Sequence, residues 1–151
     1  MKNITNKKRI VLLLALLTII TTITGCNNRS EGDVAVKVTI IGPSKEDYIL
    51  KDYEVNVDEG TSSFEGLAIA CKENKIQMSS KGTGKAVYVD GIDNLYEFDN
   101  GPESGWLYRV NGEFPDKSSG ATILNNGDEL HWLYTKDLGK DWKNTEESES
   151  K

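Results

Sequence analysis

From residue 34 onward the chain alternates. Val34, Val36, Val38 and Ile40 occupy every second position, the period of a strand with one buried face. Gly42-Pro43-Ser44 breaks the pattern, and Tyr53, Val55 and Val57 resume it. Two strands are therefore expected to pair as a hairpin across a polar loop. The period then changes. Ser62 and Glu65 form the S-x-x-E pattern of a capping box, which seeds a helix by satisfying its first free N–H groups. Phe64, Leu67, Ala68 and Cys71 follow at helical spacing, predicting an amphipathic helix of about three turns that fades near Asn74-Lys75.

Beyond the helix, Ile76-Gln77-Met78 and Ala86 to Val89 read as short strands on either side of a Gly82-Thr83-Gly84 turn. Asp90 to Gly105 reads as a loop rich in Gly, Asp and Asn. Trp106, Tyr108 and Val110 alternate again and run into Asn111-Gly112, a type I′ turn signal. Asn125-Asn126-Gly127-Asp128 is a second turn, and Leu130, Trp132 and Tyr134 make the last alternating strand. These elements predict an α+β fold, a small antiparallel β-rich domain with one amphipathic helix packed on the sheet.

The beginning of the chain follows a different pattern. Lys2, Lys7, Lys8 and Arg9 precede an apolar run from Ile10 to Ile20, the layout of a secretory signal. The run is shorter than the roughly 20 apolar residues of a spanning helix. It ends in Ile23-Thr24-Gly25-Cys26, which resembles the bacterial lipobox, where a small residue precedes the cysteine that becomes the lipidated N-terminus. Residues 1–25 are therefore expected to be a lipoprotein signal peptide, with Cys26 as the lipidation site. Residues 26–33 would be a polar tether, 34–142 the domain, and 143–151 a disordered polar tail. Acyl chains contribute about 0.8 kcal/mol per buried methylene, and two or more hold a protein on a bilayer. The expected location is the outer face of the cell membrane, with the membrane as partner through the lipid.

Charge narrows the partners. The chain carries 24 acidic and 18 basic residues, a formal net charge of −6. Lys2, Lys7, Lys8 and Arg9 all precede Cys26, whereas every acid follows it, so the exported part is more acidic still. That excludes nucleic acid, which requires clustered Lys and Arg. Acids gather at Asp90, Asp93, Glu97 and Asp99, and again at Asp137 and Asp141. Oxygen-rich, glycine-bearing loops suit calcium, and Asp99, Asp137 and Asp141 are its candidate ligands. The alternative is solvated acidic loops.

With Cys26 lipidated, Cys71 has no disulfide partner and behaves as a small hydrophobe on the helix. His131 is the single histidine. No Ser-His-Asp order or zinc spacing occurs, and Gly82-Thr83-Gly84-Lys85 lacks the rest of a P-loop. A binding module, not an enzyme, is expected.

One segment is specific. Gly105-Trp106-Leu107-Tyr108-Arg109-Val110-Asn111-Gly112, followed by Asn126-Gly127-Asp128-Glu129-Leu130-His131-Trp132-Leu133-Tyr134-Thr135, resembles the G-W-x-Y-x-V-N-G and G-D-x-hydrophobic-x-W-x-Y signature of the transcobalamin-like C-terminal domain family. The likeness extends from Val34 to Trp142. It implies a small β-rich domain that covers one face of a corrin ring. Vertebrate carriers cover the other face with a larger helical domain, for which no counterpart is expected here. One-sided contact leaves more of the ligand in water and weakens binding.

By phase, Trp106, Tyr108 and Val110 share one strand face, as do Leu130, Trp132 and Tyr134, while His131 and Leu133 take the other. Trp106, Tyr108, Trp132 and Tyr134 are thus either the core of a small sheet or the wall of a ligand pocket. His131 is the candidate axial ligand to a corrinoid cobalt through neutral imidazole. The expected function is a lipid-anchored module that binds a small ligand such as a corrinoid. The alternatives are a surface module for a protein or glycan partner, stiffened by calcium, and a subunit feeding a membrane transporter.

Overall fold

The computed structural model describes residues 32–143. Cys26, the signal segment 1–25, the tether up to residue 31 and the tail 144–151 lie outside the described residues. Within them, two sheets and two helices form around one main core.

The larger sheet has the order β2-β1-β7-β6, from β1 (Val34–Ile41), β2 (Tyr48–Val57), β6 (Gly105–Val110) and β7 (Glu129–Thr135). Val36, Val38 and Ile40 of β1 are at most 1% exposed, as expected of alternating residues in a central strand with neighbours on both sides. β1 and β2 pair antiparallel, Val38 opposite Tyr53, and β6 and β7 pair antiparallel, Tyr108 opposite Trp132. β1 and β7 pair parallel, Val38 opposite Leu130. This one parallel ladder departs from simple antiparallel order. It arises because the chain between these strands crosses the whole domain before β7 returns beside β1.

α1 (Ser63–Glu73) starts as its sequence dictates. The Ser62 hydroxyl accepts from the Glu65 N–H at 3.3 Å, and the Glu65 carboxylate accepts from the Ser62 N–H at 2.8 Å. Those two contacts complete the capping box. The backbone and hydroxyl bonds of Ser62 hold the Glu65 carboxyl below its ordinary value. Asn74 ends the helix, its backbone N–H bonding to the Ala70 carbonyl. Leu67, Ala70 and Cys71 enter the core, while Ala68 is only half-buried.

The smaller sheet has the order β3-β4-β5, from β3 (Met78–Lys81), β4 (Tyr88–Ile92) and β5 (Leu95–Tyr96). Both predicted strands begin later than expected. Ile76 and Gln77 precede β3, and Gly84–Ala86 forms a 3₁₀ turn before β4. The region read as a loop from Asp90 contains the end of β4 and all of β5. Asp93 and Asn94 join these strands with φ of 52° and 61°, the positive values of a two-residue type I′ hairpin.

Two side chains tie the sheets together. The Trp106 Nε1–H donates to the Leu95 carbonyl at 2.9 Å, and the Tyr134 hydroxyl donates to the Tyr96 carbonyl at 2.7 Å. On the rear of the large sheet, α2 (Lys140–Lys143) lays Trp142 against Ile41 and Leu133, with Phe114 at the margin. The Trp142 Nε1–H bonds to the Tyr134 carbonyl at 3.0 Å. Among the described residues no helix is long and apolar enough to cross a membrane.

Candidate functional site

β6 is an edge strand of the large sheet. In an antiparallel ladder, hydrogen-bonded and non-bonded pairs alternate. The Asn111 N–H bonds to the Glu129 carbonyl at 2.9 Å, which places Arg109, Leu107 and Gly105 in bonded phase with β7. The N–H and C=O groups of Trp106, Tyr108 and Val110 consequently face the open edge. Val110 satisfies its pair with Glu113 across the Asn111-Gly112 turn. That return ends two residues later at Pro115, which has no N–H to offer. The outward groups of Trp106 and Tyr108 have no backbone partner beyond the β7 ladder among the described residues.

Along this edge runs a cleft of about 400 Å³, within the range of small-ligand pockets. Trp106, Tyr108 and Trp132 line one side, and Ala86 to Val89 lie across from them. Leu107, Phe114 and Leu138 extend the apolar lining, and Lys117 and Lys143 are the charged residues in the wall.

The aromatic lining is held firmly. Tyr108 and Trp132 stack at 5.4 Å with 28° between their planes. The Tyr108 hydroxyl donates to the Lys117 carbonyl at 2.7 Å and meets the Thr122 hydroxyl at 2.8 Å, which moors the loop after β6 to the strand. Burial raises the Tyr108 phenol above its ordinary value, against the opposing Thr122 bond. Trp132 is 2% exposed, and its Nε1 is a buried donor with no hydrogen-bond partner among the described residues.

The acids predicted for the loop before β6 build a neighbouring network. Lys81 bonds to Glu97 and lies 3.2 Å from Asp90, and the Tyr88 hydroxyl donates to Glu97 at 2.7 Å. Burial and the Glu97 carboxylate push the Tyr88 phenol up to about 12. Burial opposes ionisation of Asp90, yet the Ser79 hydroxyl and Lys81 hold its carboxyl below the usual value. These contacts fasten β3, β4 and β5 behind the cleft wall.

The predicted site residues separate into groups. Trp106, Tyr108 and Trp132 reach the cleft. Tyr134 is fully buried in the core, edge-on to Trp106. His131 lies on the opposite sheet face, half-buried, its Nδ1 accepting from Arg109 Nε at 3.0 Å. Desolvation, and then the Arg109 charge, lower its pKa, so it is neutral but turned away from the cleft.

Asp137 and Asp141 converge on the loop after β7. Thr135 Oγ1 donates to Asp141 at 2.7 Å, the Lys136 N–H reaches Asp141 at 3.0 Å, and the Asp141 N–H reaches Asp137 at 2.9 Å. Asp99 instead accepts from the Tyr96 N–H at 2.7 Å within its own turn. No group of three or more His, Cys, Asp or Glu residues is arranged to hold a metal among the described residues. Cys71 is free and buried; desolvation and Asp93 push its thiol up to about 12, which suits a packing residue.

Sequence periodicity missed half of the cleft. Leu138 is 65% exposed at a positive φ, and Phe114 follows a turn; neither belongs to an alternating run. The one available hint was an apolar residue set singly among polar ones next to a glycine or proline.

The family model described as a domain of unknown function, DUF4430, matches residues 60–136. Among solved structures, haptocorrin in complex with Cbi superposes with a TM-score of 0.56 at 20% identity, covering 70% of this chain and 25% of that one. The chain thus spans about a quarter of haptocorrin. A proposed metal-binding protein from Ruminococcus gnavus ATCC 29149 superposes with a TM-score of 0.51 at 18% identity, covering 68% of this chain and 97% of that one. Both likenesses show the fold, and they agree with the transcobalamin-like resemblance read from β6 and β7. No curated protein matches the chain significantly.

Proposed function

We infer that this chain, which belongs to the DUF4430 family, is a small-ligand-binding module, and that its site is the cleft beside β6. The observation that carries this reading is the apolar cleft of about 400 Å³ walled by Trp106, Tyr108 and Trp132. Fixed aromatic rings give a flat or apolar ligand contact area at little entropic cost, because their side chains are already immobilised. The fold shared with haptocorrin, solved in complex with Cbi, supports a corrinoid-like compound as the first ligand to test. His131 takes no part in this reading, since it faces away from the aromatic wall.

The module is displayed on the outer face of the membrane by acyl groups on Cys26, and a transporter in the same membrane is the natural recipient of its ligand. Titrating corrinoid analogues against tryptophan fluorescence tests the site, because Trp106 and Trp132 both line it. Quenching that saturates, and that Tyr108→Ala weakens, supports the reading; an unchanged signal removes corrinoids. Mass spectrometry of membrane-extracted protein tests the anchor, where an unmodified chain that retains residues 1–25 overturns it.

A further inference from the structure

We propose that the ligand of this cleft is a short extended peptide bearing a carboxylate, which adds to β6 as an edge strand. The inference rests on the cleft being a binding site and puts a peptide there in place of the corrinoid-like compound, the two being alternative occupants of one cleft.

The first argument is the backbone. Trp106 and Tyr108 direct N–H and C=O groups outward, and the β-hairpin return that covers Val110 stops at Pro115. Tyr108 and Trp106, the latter only 4% exposed, repeat their outward donors and acceptors at about 6.6 Å, the two-residue period of a strand. Another extended amide chain matches that spacing, and strand addition of this kind is an established mode of peptide recognition. Exposed edges are usually blunted by an inward charge or covered outright. Here the edge is recessed in a cleft, with apolar surface at Leu107 and Phe114 on one side and at Trp106 and Tyr108 on the other. Successive side chains of an added strand would alternate between those two surfaces.

The second argument is charge. The chain is acidic overall, at −6, yet among the described residues Lys117 and Lys143 line the cleft and no carboxylate does, the Asp116 charge acting on Tyr108 from outside the lining. Two cations in an otherwise acidic surface select an anionic group at the mouth. A peptide α-carboxylate or acidic side chain supplies it, and the lysines pair with it there.

The test uses the full chain in detergent, with Nile red as a neutral probe of the cleft. Three competitors are compared: N-acetyl-Leu-Ala-Leu as free acid, its C-terminal amide, and the free acid N-methylated at the central residue. The free acid is expected to displace Nile red, and N-methylation to weaken it about tenfold through loss of a strand hydrogen bond and steric interference. Lys117→Gln with Lys143→Gln is expected to erase the difference between free acid and amide, both measured on that same variant so that any change in Nile red affinity cancels from the comparison. If Nile red binds but the peptides do not compete, or N-methylation changes nothing, the peptide inference is overturned and the cleft stands. If neither Nile red nor peptide binds, both fall.

Discussion

Trp106 and Tyr134 meet edge to face, with ring centroids 5.2 Å apart and planes at 74°, and their polar tips bond to the consecutive carbonyls of Leu95 and Tyr96. One aromatic pair on the large sheet thereby holds the smaller sheet in place. The wall of the cleft formed by Ala86 to Val89 depends on that attachment, because β5 pairs with β4 through Ile92 and Leu95.

Removing the Tyr134 hydroxyl therefore has a measurable cost. Tyr134→Phe keeps the ring contact but deprives the Tyr96 carbonyl and the Ser104 hydroxyl of a partner at 2.7 and 3.0 Å. The expected loss is about 1–3 kcal/mol, read by chemical denaturation. A loss no larger than that of an exposed Tyr48→Phe control would show that the bond does not join the sheets.

The loop after β7 is held by hydrogen bonds that need no cation. Thr135, Lys136 and Asp137 all engage Asp141, and Asp99 lies in a turn of its own. Millimolar calcium is expected to leave the melting temperature unchanged, whereas Asp141→Asn lowers stability by about 1 kcal/mol through weakening of charge-assisted bonds. A calcium-dependent rise in melting temperature that Asp141→Asn abolishes would favour the metal reading.

Acid should weaken the fold in two steps. Burial and Arg109 lower the His131 pKa below 6.5, so the unfolded chain takes up a proton at a higher pH than the folded one. Stability is then full above about pH 6.5 and falls as pH drops from there through the folded value. Glu65, lowered below 4.5 by its Ser62 bonds, adds a second loss as pH falls through 4.5 and below. His131→Gln should flatten the upper step and leave the lower one, as measured by denaturant midpoints across pH. An unaltered upper step would assign it elsewhere.

Cys71 is 2% exposed, with its thiol pushed up to about 12. It is expected to stay unreactive toward a thiol reagent at neutral pH until denaturant opens the core, since the thiolate is the reacting form. Rapid labelling of the native protein at this position would contradict the helix packing.

The main strands and α1 were legible because each announces itself locally. Val34 to Ile40 alternate, Ser62 and Glu65 cap, and Trp106 and Trp132 carry a phase that fixes which faces meet once their strands pair. β5 was hidden for a physical reason: two residues cannot display a period, and Leu95 and Tyr96 are a strand only because β4 lies beside them. The Asp93-Asn94 pair was a usable signal, as both residue types tolerate the positive φ of a tight hairpin. The choice between core and pocket was beyond any periodicity. Tyr134 shares a face with Trp106 and with Trp132 of its own strand, yet Trp106 and Trp132 line the cleft while Tyr134 is fully buried. His131 illustrates the converse, since its phase placed it on the rear face from the start.

The parallel pairing of β1 with β7 has a consequence for when the chain becomes rigid. Lys37 and Glu129, neighbours across that ladder, are separated by 92 positions, and contacts this distant in sequence form late and slowly. The middle of the large sheet stays unfinished until its last strand has been made and delivered. Under the export proposed above, this delay keeps the chain pliable during passage and lets it lock into shape only after the final strand emerges.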